Sequence, residues 1–247
     1  MNAAPFPLAM TLLYIFPHPD DECFGPAPAM ARQVREGHDV HLLTLTKGGA
    51  TKQRHRLDLS VEEMGEVREK ELAAAADELG VQLTVLDYPD SGLVDMDPRD
   101  LQNIIERKIT AVKPDVVVTY AVHGNSVHPD HLTTHAVVKR AYCQTHDDLA
   151  ARGPKRLALF TLVQGEMEGA ESHLHGSPPE AIGARVTFEP EDMEAAQRAI
   201  ACYETYAEVV AEHRPLALVE DGVAFVLFNE THETVLDTIT DHFESRG

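Results

Sequence analysis

Short apolar runs alternate with longer amphipathic stretches along most of the chain. The apolar runs predict buried strands at residues 12–16, 39–45, 83–86 and 115–121. The amphipathic stretches predict helices at residues 26–36, 61–79, 100–112 and 131 to about 143, and the first two stop at Gly37 and Gly80. This alternation predicts an α/β fold: a doubly wound, mostly parallel sheet with helices on both faces.

The last third of the chain has a weaker pattern. It predicts strands at residues 157–163, 185–188 and 223–228, and a helix at residues 191–212. Residues 164–182 are rich in Gly, Glu, Ser, His and Pro, which is typical of a long surface loop. We find no internal repeat and no domain boundary, and therefore expect one domain over residues 1–247. No Gly-x-Gly-x-x-Gly follows the first strand, so we reject a dinucleotide site.

Composition and charge narrow the classes of partner. Hydrophobic residues make up 43% of the chain and charged residues 25%, as in globular proteins. A net charge of −20 argues against nucleic acid and anionic membrane as partners. The three cysteines are too few and scattered for a disulfide framework, so we expect them to be reduced and mostly buried, in a cytoplasmic protein. The N-terminal apolar run is too short to span a membrane. A homo-oligomer is left open.

The candidate chemistry begins directly after the first strand, at Phe-Pro-His-Pro-Asp-Asp-Glu in residues 16–22. Three adjacent acids repel one another unless a cation lies among them, and zinc accepts both imidazole nitrogen and carboxylate oxygen. A solvated acidic turn is the alternative interpretation. His18 and the flanking prolines favour a metal site.

A second motif, His-Pro-Asp-His at residues 128–131, follows the strand at residues 115–121. A catalytic zinc usually has three protein ligands, so one cluster alone does not complete the site. In doubly wound folds, ligands bind at the carboxyl ends of the strands. We therefore expect the two motifs to meet at one edge of the sheet.

The pair of motifs resembles the LmbE-like/PIG-L family of zinc-dependent N-acetylglucosaminyl deacetylases, over residues 12 to about 142. The resemblance implies one Zn²⁺ per chain, held by His18, Asp21 and His131. It also implies that Asp20 is the general base that later acts as the acid, that His128 stabilises the oxyanion, and that Asp130 orients His128. His135, four residues after His131, is an alternative third ligand. Cys23 lies beside the first motif, and we expect it to be a core residue rather than a ligand.

The resemblance extends to two substrate contacts, Arg68 and Asp90. The alternatives are a helix-surface ion pair between Arg68 and Glu71 and a turn-forming role for Asp90. Residues 47–56 carry four positive charges and no acid, and we call this segment the basic loop. It could focus an anionic substrate or be a flexible solvated loop, and both interpretations stay open.

The resemblance implies a zinc-dependent hydrolase that removes acetyl from an N-acetylglucosamine-containing small molecule, with N-acetylglucosaminyl malate of bacillithiol biosynthesis as one candidate. An amidase acting on thiol conjugates and a non-catalytic metal-dependent binding protein are the alternatives. The retained Asp20, His128 and Asp130 argue against the binding protein, which would need no base beside a metal. Residues 199–205 resemble the family only loosely, so the C-terminal wall of the pocket is not predicted.

Overall fold

The computed structural model describes residues 9–146, 152–167 and 172–241. Strands and helices alternate up to β5, as predicted, and the last third is more irregular. The strands are β1 Thr11–Phe16, β2 Asp39–Thr46, β3 Gln82–Tyr88, β4 Val116–Tyr120, β5 Arg156–Val163, β6 Gly176–Ser177, β7 Ala184–Val186 and β8 Val223–Leu227. The helices are α1 Ala27–Arg35, α2 Gln53–Arg56, α3 Val61–Leu79, α4 Pro98–Val112, α5 Pro129–Thr145, α6 Pro190–Ala201 and α7 Ala207–His213.

The strand order is β3-β2-β1-β4-β5-β8-β7, and β6 pairs with β5 outside this path. Strands β1 to β5 are parallel to one another, whereas β8 runs antiparallel to β5 and β7. The predicted fold class is therefore confirmed. The order reverses between β1 and β4, which is where doubly wound folds open a crevice for a ligand. Both sequence motifs follow these two adjacent strands, and this topology brings them together.

Strand β1 is buried on both faces. Leu12, Tyr14 and Phe16 belong to one hydrophobic cluster, whereas Leu13 and Ile15 belong to the cluster on the opposite face. A parallel strand covered by helices on both sides needs such a continuous apolar run. The residues that follow β1 are thereby held on a rigid central strand.

Helix α3 spans Val61–Leu79, as predicted. Ser60 and Glu63 form a capping box at its start, and Gly80 ends it with a φ of 70°. Both signals are local in sequence, which explains why the prediction of this helix succeeded.

The single helix predicted over residues 191–212 is wrong. The segment forms α6 and α7, separated by a 3₁₀ turn at Glu204–Tyr206. The Tyr203 hydroxyl donates to Glu22 Oε1 at 2.5 Å, and the Thr205 hydroxyl donates to Glu71 Oε2 at 2.6 Å. These contacts with distant parts of the chain fix a turn that the local pattern does not reveal.

Other predictions need smaller corrections. The basic loop contains α2, and the predicted loop at 164–182 contains β6 and a 3₁₀ turn, while its residues 168–171 lie outside the described part. Cys23 is buried, as expected, but Cys202 is only half-buried and Cys143 is exposed. Within the described residues, the helices are too short or too polar to cross a membrane.

Candidate metal centre and active site

The first motif forms a tight turn after β1. The Pro17 carbonyl accepts hydrogen bonds from the backbone N–H and the hydroxyl of Thr46, at the end of β2. Asp20 has a φ of 91°, a conformation that non-glycine residues rarely adopt. Its carbonyl accepts from Cys23 N and Phe24 N, so the strained turn is held by the backbone that follows.

Asp21 lies between two histidine rings. Its Oδ2 is 3.5 Å from His18 Nδ1, and its Oδ1 is 3.3 Å from His131 Nε2. Two ligand atoms of a tetrahedral zinc, each about 2.1 Å from the metal, are about 3.4 Å apart. The spacings of this set therefore suit a small tetrahedral cation.

Hydrogen bonds determine which nitrogen of His131 can bind a metal. Its Nδ1 donates to the Gly124 carbonyl at 2.8 Å, because a carbonyl can only accept. The neutral ring then carries a lone pair on Nε2, the atom that faces Asp21. Gly124 has a φ of 61°, and a Cβ there would approach the Cβ of His131 to 2.6 Å, so this close contact requires glycine.

His18 and His128 have different hydrogen-bond partners. His18 Nε2 donates to Asp130 Oδ2 at 3.2 Å and lies 3.3 Å from Asp90 Oδ1, while its Nδ1 lies 3.5 Å from Asp21 Oδ2. His128 Nδ1 instead accepts from the backbone N–H of Asp130 at 3.2 Å. Its proton is therefore on Nε2, which makes that atom a donor rather than a metal ligand.

The donor set fits a cation. Burial, the largest influence, acts to lower the pKa of His18, but hydrogen bonds and charges from Asp130 and Asp21 outweigh it and raise this pKa to about 10. Burial lowers the pKa of His128, and the charges of His18 and His131 act in the same direction, which favours a neutral ring. Among the described residues, His18, His128 and His131 present ligand atoms within 4.8 Å of one another, and so do His18, Asp90 and Asp130. Asp21 belongs to neither group, and its place in the predicted ligand set rests on its distances to His18 and His131.

Asp20 lies next to this set and is bound by Arg68. Arg68 is 2% exposed, and its Nη2 donates to Asp20 Oδ2 at 2.5 Å and to the Pro19 carbonyl at 2.6 Å. Its Nη1 donates to the Gly48 carbonyl at 3.0 Å. Burial raises the pKa of Asp20 to about 6, although the charge of Arg68 acts in the opposite direction. A carboxylate with such a pKa suits general-base catalysis near neutral pH.

The structure places several predicted residues differently from the sequence analysis. The Asp130 carboxylate accepts from His18 Nε2 and from Leu93 N, and its contact with His128 is through the backbone N–H alone. Glu22, the third acid of the motif, is fully buried and faces Tyr203 rather than the histidines.

The alternative metal ligand and the predicted substrate contacts also have specific partners. His135 Nδ1 donates to the Tyr120 carbonyl at 2.9 Å. Asp90 Oδ2 accepts from Ala50 N at 2.6 Å. Arg68 makes no ion pair with Glu71, whose carboxylate instead accepts from Thr205.

Tyrosines around the site were missed by the sequence analysis. The Tyr120 hydroxyl donates to Asp21 Oδ1 at 2.6 Å, and its ring stacks on His131 with centroids 4.3 Å apart. The Tyr206 ring covers the Arg68 guanidinium, with 4.2 Å from Cζ to the centroid. Tyr120 could have been predicted as a site residue, because it is an aromatic residue with a hydroxyl at the end of β4. The sequence around residue 206 gives no comparable indication.

These groups line an open cavity of about 440 Å³, within the usual range for small-molecule sites. A family model described as GlcNAc-PI de-N-acetylase matches residues 13–142, a little over half of the 247-residue chain. The chain belongs to the PIG-L family. The matched region contains both motifs, most of β1 and all of β2 to β4, so the predicted resemblance is confirmed.

Curated relatives include a mycothiol S-conjugate amidase of Streptomyces coelicolor, 34% identical over 54% of this chain and 52% of its own length. A 1D-myo-inositol 2-acetamido-2-deoxy-alpha-D-glucopyranoside deacetylase of Kineococcus radiotolerans is 36% identical over 63% of this chain and 52% of its own length. The chain thus spans about half the length of these two relatives. The solved N,N'-diacetylchitobiose deacetylase of Pyrococcus horikoshii has the same fold, with a TM-score of 0.68 and 19% identity over 91% of this chain and 85% of that one.

The contacts of Arg68 lead to a prediction. We expect Arg68→Lys to lower kcat by up to about 10²-fold, because one ammonium nitrogen does not reproduce the fork of Nη1 and Nη2 that makes these contacts. A shift of about 1 Å in a reacting group has an effect of this size. Steady-state kinetics and metal analysis check it, with KM and metal content expected to stay close to wild type.

Arg99→Lys is the matched control, since the Arg99 side chain is 81% exposed and pairs with nearby Asp97. A raised KM with unchanged kcat would contradict the positioning role of Arg68. It would support the substrate contact that the family resemblance implies.

Proposed function

We propose that the chain is a zinc-dependent N-deacetylase that hydrolyses the acetamide of a glucosamine-containing small molecule. The observation that carries this proposal is the arrangement of a metal-ligand set, a half-buried carboxylate and an imidazole N–H donor around one cavity. His18, Asp21 and His131 would hold one Zn²⁺ per chain. When bound, the zinc supplies Lewis-acid polarisation of water and of the amide oxygen.

The remaining steps are assigned to side chains of this protein. Asp20 takes a proton from the attacking water, while Arg68 keeps its carboxylate in place. His128 Nε2–H donates to the oxygen of the tetrahedral intermediate. Asp20 then returns the proton to the leaving nitrogen, which releases acetate and a free amine. Asp130 acts as a positioning residue, since its carboxylate orients His18 and its backbone N–H orients His128.

An amidase acting on a thiol conjugate is the second candidate, favoured by the similarity to the Streptomyces coelicolor amidase. Both reactions hydrolyse an amide and would use the same metal, base and donor. Only the substrate therefore separates them. For the deacetylase, two aglycones are candidates. Inositol appears in the name of the Kineococcus radiotolerans relative, and malate is the candidate from the sequence analysis.

The test is a substrate panel assayed with and without zinc. N-acetylglucosamine glycosides of inositol and malate, chitobiose and a cysteinyl-glucosamine S-conjugate are incubated with the protein, and the freed amine is measured. We expect amine release from at least one N-acetyl sugar, abolished by a chelator and restored by zinc, with about one zinc per chain by elemental analysis.

Full turnover in metal-free protein would contradict zinc dependence. Release from the S-conjugate alone would establish the amidase instead. Tight zinc binding without turnover of any amide would support the non-catalytic alternative.

A further inference from the structure

The cavity has a second lining that hydrolysis itself does not use. We call it the apolar wall, and it consists of Phe24, Leu162, Leu174, Pro215 and Leu218. The metal, base and donor residues form the polar part of the same cavity. Acetate and sugar hydroxyls need polar partners, so the apolar wall is unexplained by the reaction alone.

The apolar wall is built on the protein core. Leu162 lies in β5 and is 5% exposed, and Phe24, Leu174 and Leu218 pack against the same hydrophobic cluster. Pro215 is buried at the start of the 3₁₀ turn Pro215–Val219. A fixed apolar surface inside a ligand cavity favours a ligand with an apolar part, because burial of that part removes both surfaces from water.

The charges around the cavity disfavour an acidic group on the ligand. Thr51 is the one residue of the basic loop that lines the cavity. Lys47 Nζ lies 2.9 Å from Glu69 Oε2, and Arg56 Nη1 lies 2.8 Å from Glu208 Oε1. These two cations of the basic loop are therefore engaged with acids of the surface rather than with the cavity.

Arg68, the arginine that lines the cavity, is bonded to Asp20. Glu212, His173 and His213 also line the cavity. The Glu212 carboxylate would repel a carboxylate on the ligand. This arrangement favours the solvated-loop interpretation of residues 47–56 over the focusing of an anionic substrate.

We propose that the substrate carries an uncharged apolar group that lies on the apolar wall while its acetamide is at the polar end. This proposal rests on the proposed deacetylase function and specifies its substrate class. The shared chemistry is an alkyl or aryl substituent, which could be the aglycone or an N-acyl chain longer than acetyl. An acidic aglycone such as malate is disfavoured.

The experiment compares kcat/KM of the zinc-loaded protein on methyl, phenyl and octyl glycosides of N-acetylglucosamine and on a hydroxy-acid glycoside. A second arm compares N-acetyl with N-hexanoyl methyl glucosaminide. In one of the arms, we expect the apolar substituent to raise kcat/KM by about tenfold or more, since one methylene in a hydrophobic pocket can have this effect. The arm that responds distinguishes the aglycone from the acyl chain.

Leu218→Asp should lower the ratio of kcat/KM for the apolar and methyl substrates about tenfold. Leu218→Ala should lower this ratio less, and it serves as a second variant in case the buried aspartate disturbs folding. Val235→Asp is the matched control, because Val235 is 52% exposed and outside the cavity lining. Isothermal calorimetry with octyl glucosaminide gives an independent readout, and we expect Leu218→Asp to weaken its binding by a similar factor.

If the methyl glycoside is turned over but no apolar substituent improves kcat/KM, or the hydroxy-acid glycoside is preferred, the apolar-group proposal is wrong and the deacetylase survives. If no amide is hydrolysed, the deacetylase is wrong. Calorimetry then tests whether the apolar wall binds the alkyl group. Equal affinity of wild type and Leu218→Asp for octyl glucosaminide would overturn this role.

Discussion

Replacing Asp20 by asparagine is expected to lower kcat by about 10²–10⁴-fold while the protein keeps its zinc, the usual effect of losing a general base. The amide has nearly the same shape as the carboxylate but cannot take the proton of the attacking water. Zinc should stay, because the predicted ligands His18, Asp21 and His131 are untouched. Kinetics on the best substrate of the panel and elemental analysis of the same sample check both statements.

Asp87→Asn is the matched control, since the Asp87 side chain is 80% exposed and its nearest cation, Lys47, is 4.0 Å away. Thermal unfolding should accompany the comparison, because Asp20→Asn leaves the buried guanidinium of Arg68 without its carboxylate. Loss of zinc from a folded Asp20→Asn protein would refute the assignment of Asp20 as base rather than ligand.

His131→Ala is expected to lose both zinc and turnover. The change removes the nitrogen whose lone pair faces Asp21, and it also removes the ring that Tyr120 stacks on. A site with two protein ligands binds zinc far more weakly than one with three. Metal titration and activity of the purified variant, with and without added zinc, measure the two losses separately.

Two neighbouring histidines are the controls for this experiment. His128→Ala should keep zinc and lose about 10²–10³-fold in kcat, the scale of one oxyanion donor. His135→Ala should keep zinc as well, because the described contact of its ring is with the Tyr120 carbonyl. The ligand set is wrong if His135→Ala or His128→Ala empties the site while His131→Ala remains loaded.

Much of the fold could be predicted because its signals are local. The amphipathic pattern and the stop at Gly80 predicted α3 with its observed bounds, and the apolar run of β1 predicted a buried strand. Strand–helix alternation implied a parallel sheet, and parallel sheets bring successive strand ends to one edge. The meeting of His18 with His131 was therefore predictable from order and pattern alone.

The roles of individual nitrogens and carboxylates required the tertiary structure. Each histidine of the site presents a particular nitrogen because of its partner: a carbonyl for His131, two carboxylates for His18 and a backbone N–H for His128. These partners come from different loops and strands. A motif specifies which residue types are close, but it does not specify which atom faces which.

The sequence by itself determined the fold class, the core strands and helices, and the two motifs that form the candidate metal centre. Only the tertiary structure decided that Arg68 holds Asp20, that Asp130 contacts His18 and that residues 191–212 break at Tyr203. It also decided that an apolar surface completes the cavity. The physical reason is range: periodicity and capping act over a few residues, whereas these contacts join segments up to 181 residues apart.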